Sequence, residues 1–233
     1  MGENANATAE GWDNVYSQKY MTMWYPHEDI IRFCASLIQK RLTLDKYEVK
    51  RKVDRVLDLG CGNGRHAMFF ARQGIKASGI DISSQAVAWA SEWAKSEGVD
   101  ADFRVGDITN LPYEDNTFDA VVTHGVLDHV PMTVATKAAR EVHRVLKPNG
   151  LFYFDLRSSH DYECGVGTEV APNEFIVTSG YEKDLVQHFF TEDEIKTLVD
   201  GLLRIIYSEI HENKLGPDYK RKYSRWVLAT EAI

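Results

Sequence analysis

The chain of 233 residues is poor in cysteine: it has three, Cys34, Cys61 and Cys164, and no CxxC pair. That scarcity excludes a disulfide scaffold and a cysteine-rich zinc site, and it suits a reducing, cytoplasmic setting. Basic residues are also short, 27 against 35 acidic ones, a formal balance of −8. A nucleic-acid duplex as main partner needs a basic stripe that this balance does not supply. No stretch approaches the roughly 20 apolar residues that span a bilayer, so no membrane association is expected. Residues 1–10 (MGENANATAE) lack the basic start and apolar core of a signal peptide. GxxxxGK[ST] is missing too, which excludes a phosphate-cradling P-loop. What remains is an ordinary globular mix, 44% apolar and 27% charged, sized for one large domain.

Small polar residues over 1–10 predict a disordered tail, with a single domain over 11–233. Trp12, Tyr16 and Tyr20 recur at i, i+4, i+8, one face of a helix, with Trp24 and Tyr25 close behind. Pro26 opens a second helix through Leu42, with Ile30, Phe33, Cys34, Leu37 and Ile38 as its buried stripe. Together, 11–50 form an N-terminal helical cap. Beyond it, apolar runs at 56–59, 76–81, 101–105, 118–123 and 151–156 alternate with helical patterns at 67–71, 84–97 and 133–146. That alternation predicts βαβ units around a parallel sheet buried on both faces, a Rossmann-like α/β fold. Residues 157–191 break the rhythm and are too long for a plain connection, so they are expected to be a lid over a ligand. A helix from Glu192 follows, capped by Thr191 with Glu194 completing the capping box, and two strands near 203–210 and 223–230 close the chain.

The most informative segment is VLDLGCGNG at 56–64, a strand running into a glycine turn. Glycines there permit positive φ and close approach of a ligand to the main chain. Asp81 ends the second strand of the alternation, 17 residues past Gly64, where such folds set a carboxylate against ribose hydroxyls. The spacing is GxGxG rather than GxGxxG, and Asp58 precedes the turn. A carboxylate at that place opposes a pyrophosphate and suits a ligand bearing an ammonium group, which speaks against a dinucleotide.

VLDLGCGNG (56–64), GIDIS (79–83), GDITNLPYEDNTFDAVV (106–122) and RVLKPNG (144–150) stand in order and at the right intervals. On these motifs the chain resembles the class I S-adenosylmethionine-dependent methyltransferases over about 54–150, with weaker likeness to its end. The resemblance implies S-adenosylmethionine as cofactor and a seven-stranded, mostly parallel sheet whose last pairing is antiparallel, with helices on both faces. It implies the Gly60 and Gly62 turn near the methionine part, Asp81 with Ile82 on the ribose, and Asp107 with Ile108 around the adenine. WDNVY (12–16), GTEVAPNEF (167–175) and HFFTEDEI (188–195) are more loosely similar to a bacterial small-molecule subgroup, in which an aromatic N-terminal helix closes over the cofactor. No NPPY-type motif is present, which argues against amines of DNA bases as acceptors.

His124 follows the fourth strand of the alternation, at the carboxyl edge where open α/β sheets bind ligands. His124 or His129 is the candidate general base, because imidazole titrates near neutrality. His124 also borders the cofactor, and a brace for the loop is the competing role for His129. Tyr16 is the aromatic best placed for a sulfonium cation. Tyr20, Trp24, Tyr25, Arg157 and His188 are candidate acceptor contacts, Arg157 as anchor for an anionic group. No ligand spacing supports a metal site. The reading is methyl transfer to a small-molecule acceptor, oxygen (a sugar or hydroxy acid) before nitrogen. A catalytically silent S-adenosylmethionine-binding module and an NAD(P)-dependent oxidoreductase are the rivals, and the oligomeric state is left open.

Overall fold

A computed structural model describes residues 3–17, 23–216 and 221–233. Helix α1 (Glu3–Ser17) begins inside the segment expected to be disordered, so the tail expectation is corrected from Glu3 onward. Helix α2 (Glu28–Phe33) is capped by the His27 side chain, which accepts from the Asp29 amide. It continues as a π-helical turn over Cys34–Ile38 and then stops. Strands β1 (Gln39–Arg41) and β2 (Tyr47–Val49) pair as a short antiparallel hairpin where the sequence predicts only helix and connector. The helical stripe ends at Ile38, and Lys40 and Arg41, past it, are exposed.

The central elements follow the predicted alternation. They are β3 (Arg55–Leu59), α3 (Arg65–Ala71), β4 (Lys76–Asp81), α4 (Ser84–Glu97), β5 (Ala101–Val105), β6 (Phe118–Val122), α5 (Met132–Val145) and β7 (Leu146–Arg157). β7 starts five residues before the predicted 151, because Pro148, Asn149 at φ 62° and Gly150 form an irregularity within the strand rather than a stop before it. Next come β8 (Thr168–Ala171), β9 (Glu174–Ile176), β10 (Val186–His188), α6 (Glu192–Val199), β11 (Leu203–Leu215) and β12 (Arg221–Ala232). The Thr191–Glu194 capping box of α6 is present as predicted.

Seven strands form one sheet in the order β11-β12-β7-β6-β3-β4-β5. The pairings from β7 to β5 are parallel, and β12 is antiparallel to both of its neighbours. Alternate residues of β7 supply the two cores: Phe152, Phe154 and Leu156 meet α5 and α6, while Leu151 and Tyr153 meet α2 and α3. The segment 157–191 carries its own three-stranded antiparallel sheet, β10-β9-β8. Among the described residues no helix is long and apolar enough to cross a membrane.

Candidate functional site

β3 ends at Leu59, and the chain reverses through Gly60, Gly62 and Gly64, at φ 67°, 54° and 86°. The Gly60 and Cys61 amides donate to the Ile80 carbonyl at 2.8 and 3.0 Å, tying the turn to the end of β4. A side chain at Gly62 would bring its Cβ to 2.5 Å from the Tyr16 hydroxyl, so α1 lies directly over the turn. Asp58 is 1% exposed; its Oδ2 accepts from the Ala67 amide at 3.1 Å, while Oδ1 has no hydrogen-bond partner and stands 3.7 Å from His66 Nδ1.

Asp81 binds the turn from the other side. Its Oδ2 accepts from the Gly62 amide at 2.8 Å and its Oδ1 from the Ser83 amide at 2.9 Å. Burial pushes its carboxyl up to about 6, against the downward pull of those two amides. Ile82 beside it is half-buried. Asp107 turns its carboxylate onto Thr109, accepting from amide and hydroxyl at 2.8 Å each, and Ile108 packs on the core. α1 spans these parts: Asp13 accepts from the Ser83 hydroxyl at 2.5 Å, and Trp12 stands edge-on to His129 at 5.3 Å.

The second cluster gathers at the carboxyl ends of β6 and β7. His124 Nε2 lies 3.5 Å from Asp155 Oδ2, and its ring centroid is 4.0 Å from that of His27 and 5.7 Å from that of His66. Burial drives the His124 imidazole down to about 3, against the Asp155 carboxylate, so it is neutral at physiological pH. Asp155 accepts from the Gly125 amide at 2.8 Å and from Arg225 Nε at 2.7 Å. Burial alone would raise its carboxyl, but Arg225 and His124 hold it below the ordinary range. Arg225 also donates to Asp128 Oδ2 at 2.8 Å.

Arg157 is the last residue of β7, is 6% exposed, and is surrounded by Asp128 at 3.6 Å, Glu163 in direct contact and Glu182 at 3.7 Å. Its guanidinium faces these three carboxylates, and its Nε has no hydrogen-bond partner among the described residues. His188 is likewise enclosed: Nδ1 meets Glu174 at 3.2 Å and Nε2 meets Glu194 at 3.3 Å, which fastens β10 to β9 and α6. His129 sits between Trp12 and Glu182, at 3.8 Å from the latter. Trp24 packs edge-on against Trp93 at 4.9 Å, and Tyr25 is 84% exposed, so neither ring joins the His124 cluster. Tyr20 lies outside the described residues. Among the described residues no three His, Cys, Asp or Glu side chains are grouped as a metal requires.

His27, His66, Asp155 and Arg225 were not singled out from the sequence. Two carried a signal: Asp155 and Arg225 are single charges inside otherwise uncharged strand runs (LFYFDL and YSRWVL), and a buried charge needs a buried partner.

Comparison with known proteins places this geometry. Residues 56–150 match a family described as a methyltransferase domain. The fold superposes on an S-adenosylmethionine-dependent methyltransferase from Methanosarcina mazei with TM-score 0.68 and 26% identity, over 78% of this chain and 93% of that one. Residues 56–150 therefore carry a methyltransferase domain, and the chain is similar in fold to an S-adenosylmethionine-dependent methyltransferase. The chain is 41% identical over 101 residues to norajmaline N-methyltransferase of Rauvolfia serpentina, covering 42% of the chain and 34% of that relative. It is 36% identical over 157 residues to a ubiquinone biosynthesis O-methyltransferase of Xanthomonas axonopodis pv. citri (strain 306), covering 66% and 65%. The chain thus spans about a third of the first relative and just under two thirds of the second. Relatives named for nitrogen and for oxygen transfer both occur, so the acceptor atom is a matter for the site.

Proposed function

We propose that the protein transfers the methyl group of S-adenosylmethionine to a hydroxyl oxygen of a small molecule, with His124 as general base. The observation that carries this reading is the buried, neutral imidazole of His124 at the end of β6, 3.5 Å from a carboxylate kept ionised by Arg225. S-adenosylmethionine, when bound, supplies a methyl group on a positively charged sulfur that leaves without protonation. The residues of the glycine turn fit it. The unpartnered Asp58 Oδ1 suits its ammonium group, the turn offers bare main chain beneath Tyr16, and Asp81 with Ile82 suits the ribose and Asp107 with Ile108 the adenine.

A hydroxyl acceptor must lose its proton as the new bond forms, and a neutral imidazole in reach is the group that takes it. Asp155 then steadies the imidazolium, and the Arg225 pair keeps Asp155 from taking the proton itself. The residues chiefly align and desolvate. Arg157 and Arg225 are both spent on carboxylates, which favours a neutral hydroxyl compound, sugar-like, over a hydroxy acid. The segment 157–191 would close over it as a lid, resting on Arg157 and His129.

The test is transfer of labelled methyl from S-adenosylmethionine to panels of neutral hydroxyl compounds and of amines, with wild type and His124→Ala. Label should enter a hydroxyl compound, and the variant should lose about 10²–10⁴ in kcat while affinity for S-adenosylhomocysteine stays unchanged. Label entering amines alone, at a rate indifferent to His124, removes the oxygen reading. A folded protein that binds the donor and labels neither panel points to the silent module.

A further inference from the structure

Helix α4 carries two stripes of unequal kind. Ala86, Val87, Ala90 and Ala94 are buried. Trp89, Glu92, Trp93, Ser96 and Glu97, at helical spacing on another face, line a cavity of about 620 Å³ together with Trp24 and Asn63. Three of the five tryptophans of the chain meet there. Large aromatics on the outer face of an amphipathic helix are unusual unless they meet something.

Two of the walls pack on each other: Trp24 and Trp93 stand 4.9 Å apart, edge to face, with an interplanar angle of 84°. The segment bearing Trp24 is fixed to the glycine turn, since Asn63 Nδ2 donates to the Met23 carbonyl at 2.7 Å and Arg65 donates to the Tyr25 carbonyl at 3.3 Å. Among the described residues no lysine or arginine lines the cavity. Arg72 lies 5.1 Å over the Trp93 ring and is bound to Glu97 at 2.6 Å, so a cation already rests against that indole and neutralises that carboxylate. Glu92, in contrast, is exposed and has no ion pair among the described residues. A wall of tryptophans beside a carboxylate that Arg72 does not reach attracts a positive, weakly hydrated group.

We propose that this cavity on the outer face of α4 is a binding site for a small organic cation of the quaternary or methylated ammonium class, held by the Trp24–Trp93 pair, Trp89 and Glu92. It does not share a lining side chain with the His124 cluster, and it does not depend on methyl transfer being the activity. Its size falls within the range of pockets that take small ligands, about 300–1,000 Å³.

The experiment is a tryptophan-fluorescence titration of the full chain with choline chloride, with sodium chloride at equal ionic strength as blank. The paired probe is 3,3-dimethylbutan-1-ol, the uncharged isostere of choline. Choline should give a saturable change and the isostere none. Trp24→Ala, at a site 53% exposed in the wild type and therefore compatible with folding, should weaken choline roughly two- to fivefold, as should Glu92→Gln. The same variants should bind S-adenosylhomocysteine as wild type does. Equal responses to choline and its isostere would mean an apolar groove without cation selectivity and overturn the proposal. So would a choline response that is absent, unsaturable or indifferent to both substitutions.

Discussion

The two edges of the candidate site are built differently. The donor edge is local: Asp58, Gly60, Gly62 and Gly64 lie within seven consecutive residues, and Asp81 reaches them through one strand pairing. The His124 edge is assembled from β6, β7, β12, the loop before α2 and the start of α3, so that Asp155 and Arg225, 70 positions apart, hold each other at 2.7 Å. At the glycine turn the hydrogen bonds to Asp58 and Asp81 come from main-chain amides, with Asp58 Oδ1 left over, whereas at the His124 edge the Arg225 side chain joins the Gly125 amide on Asp155 and bridges to Asp128. A main-chain cradle tolerates side-chain change around it; a buried ion network does not, because removing one partner strands the other.

Arg225→Met should produce the largest loss. It leaves Asp128 and Asp155, 0% and 2% exposed, without their shared counter-ion. Breaking a buried pair from one side costs about 3–5 kcal/mol. Denaturant unfolding at neutral pH measures it, and a loss below about 1 kcal/mol would show that water or neighbouring donors satisfy the two carboxylates. Arg157→Met should follow in the same direction, acting on stability rather than on the KM of an acceptor.

Asp81→Asn tests the donor edge with charge as the variable. The amide keeps the size of the side chain but loses the charged acceptor, so affinity for S-adenosylhomocysteine should fall by about 1.5–3 kcal/mol. Calorimetry on the folded variant decides it, and unchanged affinity would end the assignment of Asp81 to the ribose. Donor affinity in the wild type should also weaken as pH falls below about 6, where the raised carboxyl takes up its proton.

Gly62→Ala should cost about 1–2 kcal/mol, because a Cβ is strained at φ 54° and meets the Tyr16 hydroxyl. Adding Tyr16→Phe should recover the steric share of that loss and leave the backbone share. If the double variant recovers nothing, α1 does not press on the turn.

Legibility follows the same division. The seven-stranded sheet, the glycine turn, Asp81 and the α6 capping box were readable because each rests on residues adjacent in sequence or on a period of apolar positions. His27 was not readable: it looks like a loop histidine before a helix, and only tertiary packing sets its ring 4.0 Å from that of His124. The surroundings of Arg157 were hidden for the same reason. A strand-end arginine looks available for an anion until Asp128, Glu163 and Glu182 arrive from three other segments. The β1–β2 hairpin was hidden because the apolar period that ends at Ile38 gave no sign of what replaces it.

The pH dependence of stability is the most diagnostic effect at the His124 edge. An imidazole with folded pKa about 3 and an ordinary value of 6.5 binds fewer protons folded than unfolded between those limits. Its effect on stability is absent above pH 6.5, and stability falls as pH drops from 6.5 towards 3, by at most about 1.4 kcal/mol per pH unit. His27, whose pKa burial also lowers despite Asp155 and Asp29, adds in the same direction. His124→Phe removes the first contribution and keeps the second, so its stability should decline less steeply than that of wild type between pH 6.5 and 5. Asp155, Arg225, His66 and His27 all face the His124 ring, and the first of these favours its charged form. If Asp155 dominated, wild type would bind the proton readily and the two slopes would coincide. Equal slopes in urea unfolding across that window would therefore mean that His124 is charged near neutrality and cannot be the neutral base at the end of β6.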